Sequence, residues 1–203
     1  MSRRRLNPWG EPRRARVGLL GGSFNPAHEG HRHIALLALR LLQLDEVWLL
    51  VSPQNPLKPV DGMAPLPERL ASARAMTGGH PALRASTIET EWGTRYTADT
   101  LAVLSRRFPR IRFVWLMGAD NLAGFHRWLR WESIFRSVPV AILARGPYSA
   151  RTLGSRAAHR FAASRLPSSR ARFLWQGPAP AWVFLHTRRH AASSTAIRNR
   201  RDP

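Results

Sequence analysis

Four short runs of almost unbroken apolar residues recur along the chain: VGLL (17–20), EVWLLVS (46–52), IRFVWLMG (111–118) and VPVAILA (138–144). A strand that is apolar on successive residues has both faces buried, as happens when helices cover both sides of a parallel sheet. The stretches between the runs have helical spacing. Residues 30–42 put Ile34, Leu37, Leu41 and Leu42 on one side of a helix. Residues 67–76 form a second helix with proline near its first turn, residues 98–107 a third, and a Trp-rich helical stretch separates the last two runs. Residues 83–88 read as a further strand. Residues 149–172 have helical spacing interrupted by Gly154 and serines, RFLWQ (172–176) and AWVFLH (181–186) read as two more strands, and a Ser-Ser-Thr start opens a last short helix. This alternation predicts a single α/β domain with a doubly wound, mostly parallel sheet. Ligands in such folds sit where loops leave the carboxyl ends of the strands, which points to the loops after residues 20, 52, 118 and 186.

The chain has 203 residues, 44% of them hydrophobic, enough to bury a core without staples. It has no cysteine, so a disulfide scaffold, a Cys-ligated zinc and a thiol nucleophile are all excluded. The longest apolar stretch, 34–42, is broken by Arg40 and falls short of the ~20 residues of a membrane span. Lys and Arg total 32 against 12 Asp and Glu, and Lys58 is the only lysine. No acidic residue lies between Ser133 and Arg201. The resulting positive field favours phosphate-bearing ligands of any size. Residues 1–16, rich in Arg and interrupted by Pro8, Gly10 and Pro12, read as a flexible basic arm before a domain spanning 17–203.

The loop after the first run is GGSFNPAHEGH, residues 21–31. Gly21 and Gly22 allow backbone to approach a ligand closely. His28 and His31 are three apart at a helix start and face the same way. Together with the unpaired N–H groups of that helix end they form a cradle for a phosphate. Two surface histidines in an ordinary Gly-rich turn are the plainer alternative. A zinc site is not indicated, because the i, i+4 spacing and a third ligand are missing.

The eleven-residue string resembles the signature of the HxGH-type nucleotidylyltransferases, and specifically of bacterial nicotinate-nucleotide adenylyltransferases. SPQNPLKP (52–59) is similar to that family's proline-rich loop, and ETEWGTRYTADTL (89–101) to its Glu-containing Tyr-Thr loop and following helix. WLMGADNLAGFHRWLRWESIF (115–135) resembles its Gly-x-Asp strand end and Trp segment, and ASSTAIR (192–198) its terminal motif. The resemblance implies a Rossmann-like fold and adenylyl transfer from ATP to nicotinate mononucleotide, giving deamido-NAD and pyrophosphate by in-line attack without a covalent intermediate.

The resemblance also implies site roles. His28, His31, Lys58 and Arg198 are the expected catalytic residues. Gly21, Gly22, Ser23, Phe24, His28, His31, Ser194, Thr195 and Arg198 are expected around ATP. Asn25, Tyr96, Thr97, Asp120, Trp128 and Leu129 are expected around the mononucleotide, with Trp128 as platform for the nicotinate ring and backbone N–H groups near Thr97 and Leu129 for its carboxylate. For Asp120 and for Ser194–Thr195 an N-cap is the alternative reading. Leu57 stands where the family often has histidine, Arg95 where a small serine is commoner and Ala192 where isoleucine is usual. No carboxylate cluster suggests a protein-built metal site, so Mg2+ is expected to arrive on ATP. The enzyme is expected to be cytoplasmic, with no membrane partner. Other acceptors within the superfamily, nicotinamide mononucleotide or phosphopantetheine, stay open as alternatives. Nucleic acid is not expected as a partner, because a basic binding protein would leave these motifs unexplained.

Overall fold

Period-two alternation decides which face of each strand meets which helices. All six residues of β2 (Glu46–Val51) are buried. Trp48 and Leu50 join one core, while Val47, Leu49 and Val51 join a second on the opposite face. The same division runs through β4 (Ile111–Gly118), with Phe113, Trp115 and Met117 on one side and Val114 and Leu116 on the other. Helices α1 (Glu29–Leu41) and α2 (Leu66–Met76) cover the second core with Ile34, Ala35, Ala38, Ala73 and Met76. Helices α4 (Thr97–Arg107), α6 (Trp131–Ser137) and α7 (Arg156–Arg160) cover the first, with Leu101, Leu104, Ile134, Phe135, Ala157 and Ala158.

The computed structural model describes residues 6–54, 61–144 and 147–187. The remaining strands are β1 (Ala15–Gly22), β3 (Leu83–Ser86), β5 (Val140–Ala144), β6 (Arg165–Leu166) and β7 (Trp182–His186). The described strands make one sheet in the order β3-β2-β1-β4-β5-β7-β6, and every pairing is parallel. The chain crosses from one side of β1 to the other after β3, so the topological switch lies between β1 and β4. The crevice between their carboxyl ends is where such a fold binds a ligand. No described helix is long and apolar enough to cross a membrane.

Several sequence expectations are corrected. The strand at 17–20 is longer on both sides, because Ala15 and Arg16 pair with Ile111 and Arg112, while Gly21 and Gly22 pair with Leu50 and Val51. Gly21 and Gly22 are therefore strand, not loop. The strand expected at 83–88 ends at Ser86, and the chain turns into the short α3 (Ile88–Glu91). Residues 149–172 are short helical pieces plus the two-residue β6, and RFLWQ is a 3-10 turn rather than a strand. The buried residues here, Ala171 just before it and Leu174 within it, recur at three, not two, so one side of a tight helical turn packs on the sheet. The last expected helix lies outside the described residues.

Residues 6–14 also differ from the expected flexible arm. Leu6 is buried in the first core with Ile88, Leu101 and Phe108. The Pro8 carbonyl accepts from Trp92 Nε1 at 3.0 Å and from an Arg107 guanidinium N–H. Gly10 has φ +96°, and a Cβ there would sit 2.0 Å from the Arg107 carbonyl oxygen. Arg13 reaches Glu46 at 2.9 Å, a carboxylate that Arg84 meets at 2.6 Å from β3. An apolar anchor and a backbone acceptor thus hold a segment whose composition suggested mobility.

Candidate functional site

The crevice at the switch point is built first from the loop between β1 and α1. Gly21 is small because of what lies behind it: a Cβ would meet the Trp115 indole at 2.5 Å. Phe24 takes φ +48° and buries its ring, with 2% exposure, against the second core. It does not line an open cleft but supports the His31 ring from 4.9 Å. The Asn25–Pro26 peptide is cis.

His28 is the N-cap of α1, and its Nδ1 accepts from Gly30 N at 3.1 Å. His31 Nδ1 accepts in turn from His28 N at 3.3 Å. An imidazole nitrogen that accepts from an amide carries no proton, so each ring holds its proton on Nε2. The ring centroids are 3.9 Å apart. Two Nε2–H donors beside the positive end of a thirteen-residue helix suit an anionic oxygen.

Asn25, expected beside the mononucleotide, has a structural duty in the fold. Its Nδ2 donates to Gly62 O at 2.7 Å and its Oδ1 accepts from Ala64 N at 3.1 Å, which pins the segment before α2. Sequence reasoning missed Arg69. This residue, 3% exposed, donates to the carbonyls of Ser23, Ser52, Pro53 and Ala64 at 2.7–2.9 Å. Burial lowers its pKa from the ordinary guanidinium value. A signal existed: Arg69, Ala73 and Met76 are the buried residues of α2, so an arginine occupies a step of the apolar stripe.

The second half of the crevice comes from α4 and the segment after β4. Tyr96 is the N-cap of α4 without a side-chain cap, and Thr97 opens the helix. Trp128 is half-buried, with its ring 4.8 Å from Phe125 and 6.3 Å from Trp115. Leu129 is 48% exposed. The structure ties these two loops together through an Arg130–Asp99 ion pair, with Arg130 in the left-handed region at φ +51°. Arg95 crosses to Gln54 at 3.2 Å, joining the loop after β2 to the same end of the site. Asp120 is exposed in the first turn of α5 (Ala119–Gly124), whose N-cap is Gly118, so Asp120 is not itself the cap. Lys58, Ser194, Thr195 and Arg198 lie outside the described residues. Among the described residues no group of three His, Asp or Glu is arranged to hold a metal ion.

Beneath the Tyr96–Thr97 loop lies a buried polar cluster. Thr100 Oγ1 donates to Glu89 Oε1 at 2.8 Å and lies 3.1 Å from Thr94 Oγ1. Burial raises the Glu89 carboxyl to about 7, an effect that the Thr100 hydrogen bond opposes. Because the folded value lies above the ordinary 4.5, the neutral form favours folding. That contribution is complete below the unfolded value and is lost as pH rises to about 7. Glu89→Gln should therefore flatten the decline of stability across this window, read as urea midpoints at about pH 5 and about pH 8.

Residues 19–200 match the Cytidylyltransferase-like family. A "Probable nicotinate-nucleotide adenylyltransferase" of Cereibacter sphaeroides is 55% identical over 182 residues, covering 90% of this chain and 95% of that one. A relative of the same description from Methylorubrum extorquens is 51% identical, covering 91% of this chain and 100% of its own. Among solved structures, a Plasmodium falciparum nicotinic acid mononucleotide adenylyltransferase complexed with NaAD superposes with a TM-score of 0.68 at 14% identity. It covers 91% of this chain and 83% of its own, a likeness of fold.

Proposed function

The chain belongs to the nicotinate-nucleotide adenylyltransferases, and from that membership together with the site we infer that it transfers the adenylyl group of ATP to nicotinate mononucleotide. An oxygen of the mononucleotide phosphate attacks the α-phosphorus. The bond from that phosphorus to the bridging oxygen breaks, and pyrophosphate leaves, giving deamido-NAD. Such a transfer needs positioning and charge stabilisation more than covalent chemistry. The observation that carries the reading is the histidine pair, both Nδ1 atoms accepting from backbone N–H groups and the two rings 3.9 Å apart at the N-terminus of α1.

In this reading His28 and His31 hold the ATP phosphates and stabilise the transition state. Lys58, Ser194, Thr195 and Arg198 are assigned to the same phosphates, with Ser23 beside them. Tyr96, Thr97, Trp128 and Leu129 serve the acceptor, and Asp120 accepts from a ribose hydroxyl. The contact between Asp99 and Arg130, which joins the two acceptor loops, supports that assignment. The donor set formed by His28, His31 and the α1 terminus suits phosphate oxygens rather than a metal, so Mg2+ is proposed to come with ATP and to neutralise its phosphates. Use of ATP makes the cytoplasm the proposed compartment.

Pyrophosphate release from ATP, with nicotinate mononucleotide and nicotinamide mononucleotide side by side, tests the reading. A strong preference for the nicotinate form is expected. Equal rates would make the enzyme dual in specificity, and release with neither would sink the acceptor assignment. Trp128→Ala should raise the KM for the mononucleotide about tenfold while sparing that for ATP, as expected if a stacked ring is lost. Equal effects on both substrates would reduce Trp128 to a packing role.

A further inference from the structure

The ladder between β1 and β2 ends at Gly22 and Val51, with one last bond from Ser52 N to Gly22 O at 3.0 Å. Beyond that point the two chains part, one into the histidine loop and the other towards the Pro-rich loop. Their carbonyls at Ser23, Ser52 and Pro53 point into protein, where an unpaired acceptor costs about 1–3 kcal/mol. One guanidinium meets them all. Arg69 Nη1 donates to Ser23 O at 2.9 Å and to Ser52 O at 2.7 Å, Nη2 to Pro53 O at 2.8 Å and Nε to Ala64 O at 2.8 Å.

We propose that Arg69 is a positioning residue for adenylyl transfer: its buried guanidinium serves as a rung beyond the end of the β1–β2 ladder, fixing the distance between the two loops and so the place of the His28–His31 cradle. The geometry explains why arginine is used. Its planar fork presents five N–H groups in fixed directions, whereas an ammonium concentrates three donors at one point and cannot span four separated carbonyls. The path to the histidines is short. Ser23 precedes Phe24, whose ring supports His31, and α2 adds a second brace through Ser72 Oγ, which accepts from Ala27 N at 3.1 Å. The acceptor loops share none of Arg69's own bonds: Tyr96, Thr97 and Trp128 are carried by elements on the other face of the sheet, and the link from Arg95 to Gln54 is an exposed hydrogen bond.

The inference rests on the adenylyl-transfer reading for its assay, and wild-type pyrophosphate release tests that reading first. Given an active wild type, Arg69→Lys should lower kcat/KM for ATP at least about tenfold, since small misplacements in a phosphate cradle are costly, while the KM for the mononucleotide stays within about twofold. Amide exchange supplies a readout independent of turnover. His28 N and Gly30 N should lose protection in the variant while amides in the middle of α1 keep theirs. In Arg69→Ala, guanidinium chloride well below denaturing concentration should restore activity where matched sodium chloride does not. If Arg69→Ala does not fold, the kinetic split and exchange pattern of Arg69→Lys decide alone. A lower Tm with unchanged kinetics and exchange, or an equal rise in both KM values, would overturn the proposal.

Discussion

His31→Ala should lower kcat by about 10²-fold or more, the loss expected when a preorganised donor to a developing charge is removed. The imidazole has two duties, and they can be separated. Its Nδ1 accepts from His28 N, while Nε2–H is the donor proposed for phosphate. Asparagine in its place can put Oδ1 near the Nδ1 position and keep the bond to His28 N, yet it has no group at Nε2. His31→Asn is therefore expected to be as inactive as His31→Ala while recovering most of any lost Tm. If the asparagine variant turns over near the wild-type rate, the histidine matters only as a helix cap. If alanine itself leaves kcat intact, His31 leaves the mechanism.

Removing residues 1–13 should cost about 3 kcal/mol and lower Tm by roughly 10 °C, from the loss of one buried leucine and its neighbouring hydrogen bonds. Leu6 is buried in the first core, and the Pro8 carbonyl is the acceptor for both Trp92 Nε1 and Arg107. Glu46 would lose Arg13 but keep Arg84 and its bond from Trp48 Nε1 at 2.7 Å. Trp92 precedes the Tyr96–Thr97 loop by four residues, so the acceptor side should loosen more than the ATP side. Thermal unfolding of the truncated chain against Leu6→Ala measures how much is apolar burial. A truncated protein with unchanged Tm would return this segment to a solvated arm.

Much of the site could be read from residue order because its parts are local. His28 and His31 come together by helix geometry alone, and the partial positive charge beside them follows from the N-terminus of α1. Other parts are non-local. Arg69 lies seventeen residues from Ser52 and forty-six from Ser23, and nothing in a run of letters shows which carbonyls a guanidinium will reach. Gly21 is similar: its smallness reads as room for a ligand until Trp115 of β4 is found behind it. Asn25 looks like a ligand contact in its motif, yet its amide is engaged with Gly62 and Ala64.

By itself the sequence determined the class of fold, six of the seven described strands and the covering helices, because burial on one or both faces imposes a period that survives in the order of residues. It also determined the family, through motifs spread along most of the chain. Tertiary structure alone decided that β1 runs from Ala15 to Gly22, that RFLWQ forms a turn and that residues 6–14 are fastened down. Each of these depends on a partner distant in sequence: Ile111 for Ala15, the sheet face for Leu174, Trp92 and Arg107 for Pro8. A periodic pattern records that a residue is buried but not what it is buried against, and in this protein the second fact places the loops around the histidines.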